Sequence, residues 1–173
     1  MRTRTVVGLL VATFVMLVSS RPASAQGMKV DFGAGYQHLS HDTEGGYLWP
    51  LGWGASFGAG KDHIKFVADV GAHYNGDDPF HGGVNGNLYT FQGGLEVSSR
   101  RKRVVPFARM LAGLAYFSQE GAFAALALTP EFGLKIMASD TIGVQLALGF
   151  PVLLAEDTQR GTVRLFAGVV YRK

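Results

Sequence analysis

The sequence predicts an all-β protein, an eight-stranded antiparallel up-and-down transmembrane β-barrel. From Met28 to the end of the chain, side-chain character alternates with a period of two, which is the period of a β-strand rather than of a helix. The alternation falls into eight segments of about ten residues or more, and no helical pattern separates them. Consecutive strands joined without helices should pair antiparallel.

Most segments carry large apolar residues on one face and small or polar residues on the other. In the segment Tyr47–Gly60 the odd positions are apolar and mostly bulky, whereas the even positions are mostly glycine. The segment Val104–Phe117 is apolar on both faces, and we assign Arg109 and Gly113 to its small-residue face. The predicted strands are Val30–Gln37, Tyr47–Gly60, Ile64–Tyr74, Tyr89–Val97, Val104–Phe117, Ala122–Met137, Ile142–Phe150 and Val163–Arg172.

Residues 1–25 are predicted to be a signal peptide, and residues 26–173 the barrel domain. Arg2 and Arg4 precede the apolar run Val6–Val18, and Ala23–Ala25 supplies small residues for cleavage before Gln26. The alternative, an uncleaved membrane anchor, is disfavoured because this run is short for a membrane-spanning helix. Cleavage removes three of the 16 basic residues and none of the 13 acidic ones, so the mature chain has no net charge. Nucleic acid is therefore not an expected partner.

The chain has no cysteine. This excludes disulfide bonds, thiolate metal sites and thiol nucleophiles.

Periodicity alone leaves two possibilities for the apolar face. It faces lipid, or it lines the ligand pocket of a soluble, lipocalin-like periplasmic barrel. Long loops alternate with mostly short turns, which is typical of outer-membrane barrels. Aromatic residues also lie near the long-loop ends of the strands, as an interfacial girdle requires. We therefore expect lipid outside, with a girdle formed by Tyr36, Tyr47, Trp49, Tyr74, Tyr89 and Tyr116.

The small-residue face carries four acidic and four basic residues, and the apolar face carries none. An ion-pair network inside the barrel is one interpretation, and a pore or proton path is another. An eight-stranded barrel is only wide enough for side chains to fill it, so we favour a plugged lumen. The predicted lumen charges are Asp31, Lys65, Asp69, Glu96, Arg109, Glu131, Lys135 and Arg164.

From Met28 to Lys173 the chain resembles the small outer-membrane β-barrels of the OmpA/OmpX-like superfamily. Val163–Tyr171 is similar to the terminal assembly signal of such barrels, in which Gly168 and Tyr171 match and Lys173 departs from the usual aromatic end. Arg103–Tyr116 resembles their fifth strand.

The resemblance implies a monomer exported by the Sec pathway to the outer membrane of a Gram-negative bacterium. Its expected partners are outer-membrane lipid and, transiently, the barrel-assembly machinery. The implied role is structural, adhesive or weakly porin-like, with no cofactor.

A third possibility is a barrel-embedded enzyme that modifies lipid A. Ser40, His41 and Asp42 have the residue types of a catalytic triad, but three consecutive side chains cannot converge as a triad does. His38 and Ser40 share one strand face without the surrounding motif of a deacylase. A divalent-cation site at His73, Asp77, Asp78 and His81 is likewise disfavoured, because loop acids and histidines are usually just solvated. We predict no catalytic residue and no metal site.

Overall fold

The computed structural model describes residues 28–41, 47–61, 63–74, 87–99, 103–118, 123–154 and 162–173. The predicted signal peptide and its cleavage point lie outside these residues. No helix in the described residues is long and apolar enough to cross a membrane. The strands are β1 (Met28–His41), β2 (Tyr47–Lys61), β3 (Ile64–Tyr74), β4 (Asn87–Ser98), β5 (Val104–Ser118), β6 (Phe123–Met137), β7 (Ile142–Gly149), β8 (Val152–Leu154) and β9 (Thr162–Arg172).

These strands close into an eight-stranded antiparallel barrel, which confirms the predicted fold. Consecutive strands pair from β1 to β7, and β9 pairs with both β7 and β1 to close the sheet. β7 and β8 are two parts of one barrel strand, because both pair with β6. Between them the backbone N–H of Phe150 donates to the Pro130 carbonyl at 2.9 Å.

The seventh barrel strand extends further than the sequence predicted. The alternation was expected to end at Phe150, but pairing with β6 resumes over Val152–Leu154. Pro151 has no backbone N–H to donate, so it interrupts the ladder without ending the strand. The proline that follows the alternating segment therefore does not mark the end of the barrel strand.

The pairing of β2 with β1 is irregular near the start of β2, which the alternation of Tyr47–Gly60 did not indicate. Gln37 lies opposite Gly52, but Leu39 lies opposite Trp49, so β2 has one extra residue between these pairs. This is a β-bulge, and Pro50 falls within it, which is a position that strand prolines favour. The pairing register of β1 and β2 therefore shifts by one residue at this point.

Burial follows the alternation along the rest of the barrel. β7 is the clearest case, with exposed and buried residues alternating at every position. The exterior carries the large apolar side chains, such as Phe66, which is 73% exposed. The small-residue face points inward, where space is limited by the opposite wall.

β1 and β9 approach each other so closely that both need glycine. Gly35 and Gly168 are cross-strand partners. A Cβ atom added to Gly35 would lie 2.3 Å from both the Ala167 carbonyl oxygen and the Gly168 Cα atom. Both obstacles are backbone atoms, so the strands themselves would have to separate.

We therefore expect Gly35→Ala to lower the free energy of unfolding by about 1–3 kcal/mol, the usual cost of overpacking. Urea unfolding of the refolded barrel, followed by tryptophan fluorescence, measures the loss. Gly93→Ala is the matched control, because its added Cβ would meet only the Val67 carbonyl oxygen at 3.7 Å. Equal stability of the two variants would contradict the close approach of β1 and β9.

Candidate functional site in the barrel lumen

The barrel interior is filled by charged side chains. All eight residues that the sequence placed on the small-residue face are buried, with at most 6% of each exposed. They come from six different strands, so they converge only when the barrel is closed. These residues, which we call the lumen network, are Asp31, Lys65, Asp69, Glu96, Arg109, Glu131, Lys135 and Arg164.

One half of the lumen network is built around two lysines. Lys65 Nζ donates to Asp31 Oδ2 at 2.5 Å. Lys135 Nζ donates to the same Asp31 oxygen at 2.9 Å and to Glu96 Oε1 at 2.6 Å. The Lys135 ammonium therefore links a carboxylate of β1 to one of β4, although these strands are not neighbours in the sheet.

Arg109 connects the two halves. Its Nε donates to Glu96 Oε2 at 2.8 Å, and its Nη1 donates to Glu131 Oε1 at 3.1 Å. Its Nη2 donates to Gln145 Oε1 at 3.3 Å. The guanidinium carbon also lies 4.6 Å from the centre of the Phe107 ring, within cation–π distance. The planar fork of an arginine suits this role, because it points several donors in fixed directions.

Arg164 completes the other half. It is 2% exposed; its Nη1 donates to Asp69 Oδ1 at 3.0 Å and its Nη2 to Glu131 Oε2 at 2.6 Å. Every carboxylate of the lumen network thus accepts a hydrogen bond from at least one cation. Four acids and four bases are joined in one connected set, which offsets the cost of burying each charge.

The glycines of β2 give the long side chains room. Gln37 lies across Gly54, where an added Cβ atom would be 2.1 Å from the Gln37 Nε2 atom. His73 lies across Gly52 in the same way, with its Nδ1 2.7 Å from such an atom. One wall of the lumen is therefore backbone, and the charged side chains fill the space beside it.

Several lumen residues were missed by the sequence analysis. Arg172, which was not among the predicted lumen charges, donates from Nε to Asp31 Oδ1 at 3.1 Å. Gln92 and Gln145 are buried and hydrogen-bonded inside the barrel. The alternation places both glutamines on the small-residue face, but the predicted network included charged residues only.

The exterior aromatics form a band with an additional member. Tyr36, Tyr74 and Tyr116 are exposed on the outer face, and Tyr89 stacks on Tyr116 with 6.4 Å between ring centres. Trp53, which the sequence analysis did not include, is 50% exposed and donates from Nε1 to the Tyr74 hydroxyl at 3.1 Å. The side chains of Tyr47 and Trp49, also assigned to the girdle, lie outside the described residues.

Gly168 and Tyr171, the predicted assembly signal, both lie in β9. Tyr171 faces outward, 46% exposed, between Phe32 and Ile142 on the adjacent strands. Gly168 lies in the close contact between β9 and β1 described above. Their recognition by assembly machinery stays a prediction.

The alternative catalytic and metal residues do not form a described site. Asp42, Asp77, Asp78 and His81 lie outside the described residues, as does the side chain of His41. His73 is buried in the lumen. Among the residues with described positions, no group of three histidines or acids could hold a metal ion.

No protein-family model and no curated protein matches the chain. Solved structures do match, each over 84% of this chain. Neisserial surface protein A (NspA) is 15% identical with a TM-score of 0.59 over 96% of its length. Ail, the attachment invasion locus protein of Yersinia pestis, is 13% identical with a TM-score of 0.57 over 99% of its length; it was solved with a heparin analogue, sucrose octasulfate. The N-terminal β-barrel domain of Pseudomonas aeruginosa OprF is 15% identical with a TM-score of 0.55 over 97% of its length. At these identities the likeness establishes the fold.

Proposed function

We propose that this chain, which has the fold of small outer-membrane barrels, is itself a monomeric outer-membrane protein whose lumen is plugged by ion pairs. Its role is structural or adhesive, performed by the barrel surface and its long loops, and it is not catalytic. The single observation that carries the proposal is the inversion of polarity. Charged side chains are buried inside, and large apolar side chains are exposed outside.

The exterior supports contact with lipid. At mid-barrel Phe91, Leu114 and Phe132 are each at least 50% exposed, which is unfavourable in water and favourable in a hydrocarbon layer. An open groove of about 700 Å³ over Ala167 continues this surface across β6, β7, β9 and β1. Its lining contains no acidic residue, lysine or arginine. The aromatic band supports an interface with lipid headgroups.

The interior argues against the soluble alternative. A lipocalin-like barrel needs an apolar pocket inside, but here the lumen network occupies the space. The same packing argues against a wide aqueous pore. Loops joined to a rigid barrel are a common place for binding residues, and the name of Ail as an attachment protein supports the adhesive class.

Membrane fractionation tests the proposal, followed by gel electrophoresis of the protein with and without boiling in detergent. We expect recovery in the outer membrane and faster migration of the unboiled sample, because a closed barrel resists detergent. Recovery in the soluble periplasm with no heat-dependent shift would overturn the proposal and favour the soluble barrel.

A weak porin-like activity is the second candidate, favoured by the polar lining of the lumen. Planar-bilayer recordings separate it from the plugged barrel. We expect no steady conductance from the wild-type protein, because side chains fill its lumen. Replacing both Arg109 and Glu131 by alanine removes part of this filling and should raise the conductance. Steady wild-type conductance would favour the porin-like role.

A further inference from the structure

Between the lumen network and the long-loop end of the barrel lies a small enclosed chamber. One side is polar, with His73, Thr90, Gln92 and Arg164 among its lining residues. The other side is a buried apolar cluster formed near the long-loop ends of the strands. That cluster consists of Leu39, Leu88, Ala115 and Ala127, with Phe117 and Leu153 packed against it.

Five polar atoms of the residues that line the chamber have no hydrogen-bond partner within the described part of the chain. His73 is fully buried, and neither of its ring nitrogens has a hydrogen-bond partner. The same holds for Thr90 Oγ1, Gln92 Oε1 and Arg164 Nε, on side chains that are at least 91% buried. Five of the six buried side-chain atoms without a partner in the described residues belong to residues that line this chamber, and this concentration points to a ligand.

The ligand must be neutral, small and able both to donate and to accept hydrogen bonds. Arg164, the charged residue that lines the chamber, already donates to both Asp69 and Glu131, so a charged ligand would add an unpaired charge. Arg164 Nε only donates and Gln92 Oε1 only accepts, while the His73 ring in its neutral form does both. The chamber has a volume of about 20 Å³, and a single water needs at least about 10–15 Å³.

We infer that this chamber is a hydration site for one buried water molecule, which joins His73 to Arg164 of the lumen network. The water accepts from Arg164 Nε and donates to Gln92 Oε1. His73 and Thr90 supply the remaining contacts. The polar interior then runs without interruption from Asp31 to the apolar cluster near the long-loop ends of the strands.

A crystal structure of the detergent-solubilised barrel at about 2 Å resolution tests the inference. We expect one water peak within hydrogen-bond distance of at least three of His73, Thr90, Gln92 and Arg164. His73→Phe keeps a ring of similar size and removes both nitrogens, so the peak should be lost. Thr90→Val removes only the hydroxyl and should weaken or abolish the peak, which keeps the test available if the histidine variant does not fold. Ser56→Ala, at a buried lumen position outside the chamber lining, is the control and should retain it.

Three results would overturn the inference. The first is an empty chamber in a map that shows other ordered waters. The second is a direct hydrogen bond between His73 and Gln92 or Thr90 with no space left between them. The third is a density with the short contacts of a metal ion.

Discussion

Replacing Arg109 by methionine is expected to lower the free energy of unfolding by about 3–5 kcal/mol. Methionine fills much of the same volume but leaves Glu96 and Glu131 without one of their cationic partners in a buried site. Removing one partner of a buried ion pair is costly, because the remaining charge stays desolvated. Urea unfolding of the barrel refolded in lipid vesicles measures the change.

Two further variants separate this effect from a loss of packing. Arg172→Met removes a cation at the edge of the same network, where the side chain is 19% exposed and Asp31 keeps both of its lysines. We expect that variant to lose about 1 kcal/mol or less. Adding Glu131→Gln to Arg109→Met should recover part of the stability. If Arg109→Met and Arg172→Met proved equally stable, the network would not hold the lumen together.

We expect the second large loss of stability when an arginine replaces Leu148, on the outer face of β7. Leu148 lies midway along the barrel strand formed by β7 and β8, and its side chain points away from the lumen. At the middle of a bilayer a lipid-facing arginine costs about 2–4 kcal/mol, whereas near the interface it costs about 0–1 kcal/mol. We therefore expect Leu148→Arg to lower the unfolding free energy in vesicles by the larger amount.

Ile142→Arg is the matched control. Ile142 lies on the same face of the same strand, six residues towards the short-turn end, and is also exposed. We expect it to lose about 1 kcal/mol or less because its side chain reaches the interface. In a barrel surrounded by water both changes would stay within about 0.5 kcal/mol, and that outcome would contradict a lipid-facing exterior.

The period-two pattern was enough to predict the barrel because most strands carry small or polar residues on one face and large apolar residues on the other. The interior of a narrow barrel tolerates glycine, short polar groups and a few long side chains that pack against the glycines, as Gln37 does over Gly54. The odd–even alternation alone therefore identified which residues point inward, including Arg109 in a segment that is apolar on both faces.

The alternation could not identify which charged side chains pair with each other inside the barrel. The bond from Lys135 to Asp31 joins residues 104 positions apart on strands that are not neighbours, so it depends on the tilt of the strands across the lumen. Nor could the alternation foresee the bulge in β2 between Trp49 and Gly52, since it depends on how β2 pairs with β1. Trp53 was not assigned to the girdle, although it lies opposite Tyr36, a predicted girdle residue of the neighbouring strand.

The pairing of β1 with β9 has a consequence for biogenesis. The hydrogen bond between Arg172 and Asp31 joins residues 141 positions apart. β1 therefore cannot pair with β9 until nearly the whole chain has been synthesised. Until then both strands present unpaired edges, which are open to association with other chains. Closure of so long a loop is slow relative to local hairpin formation. The incomplete sheet therefore needs protection until the barrel closes, and a chain truncated before β9 should aggregate rather than form a smaller barrel.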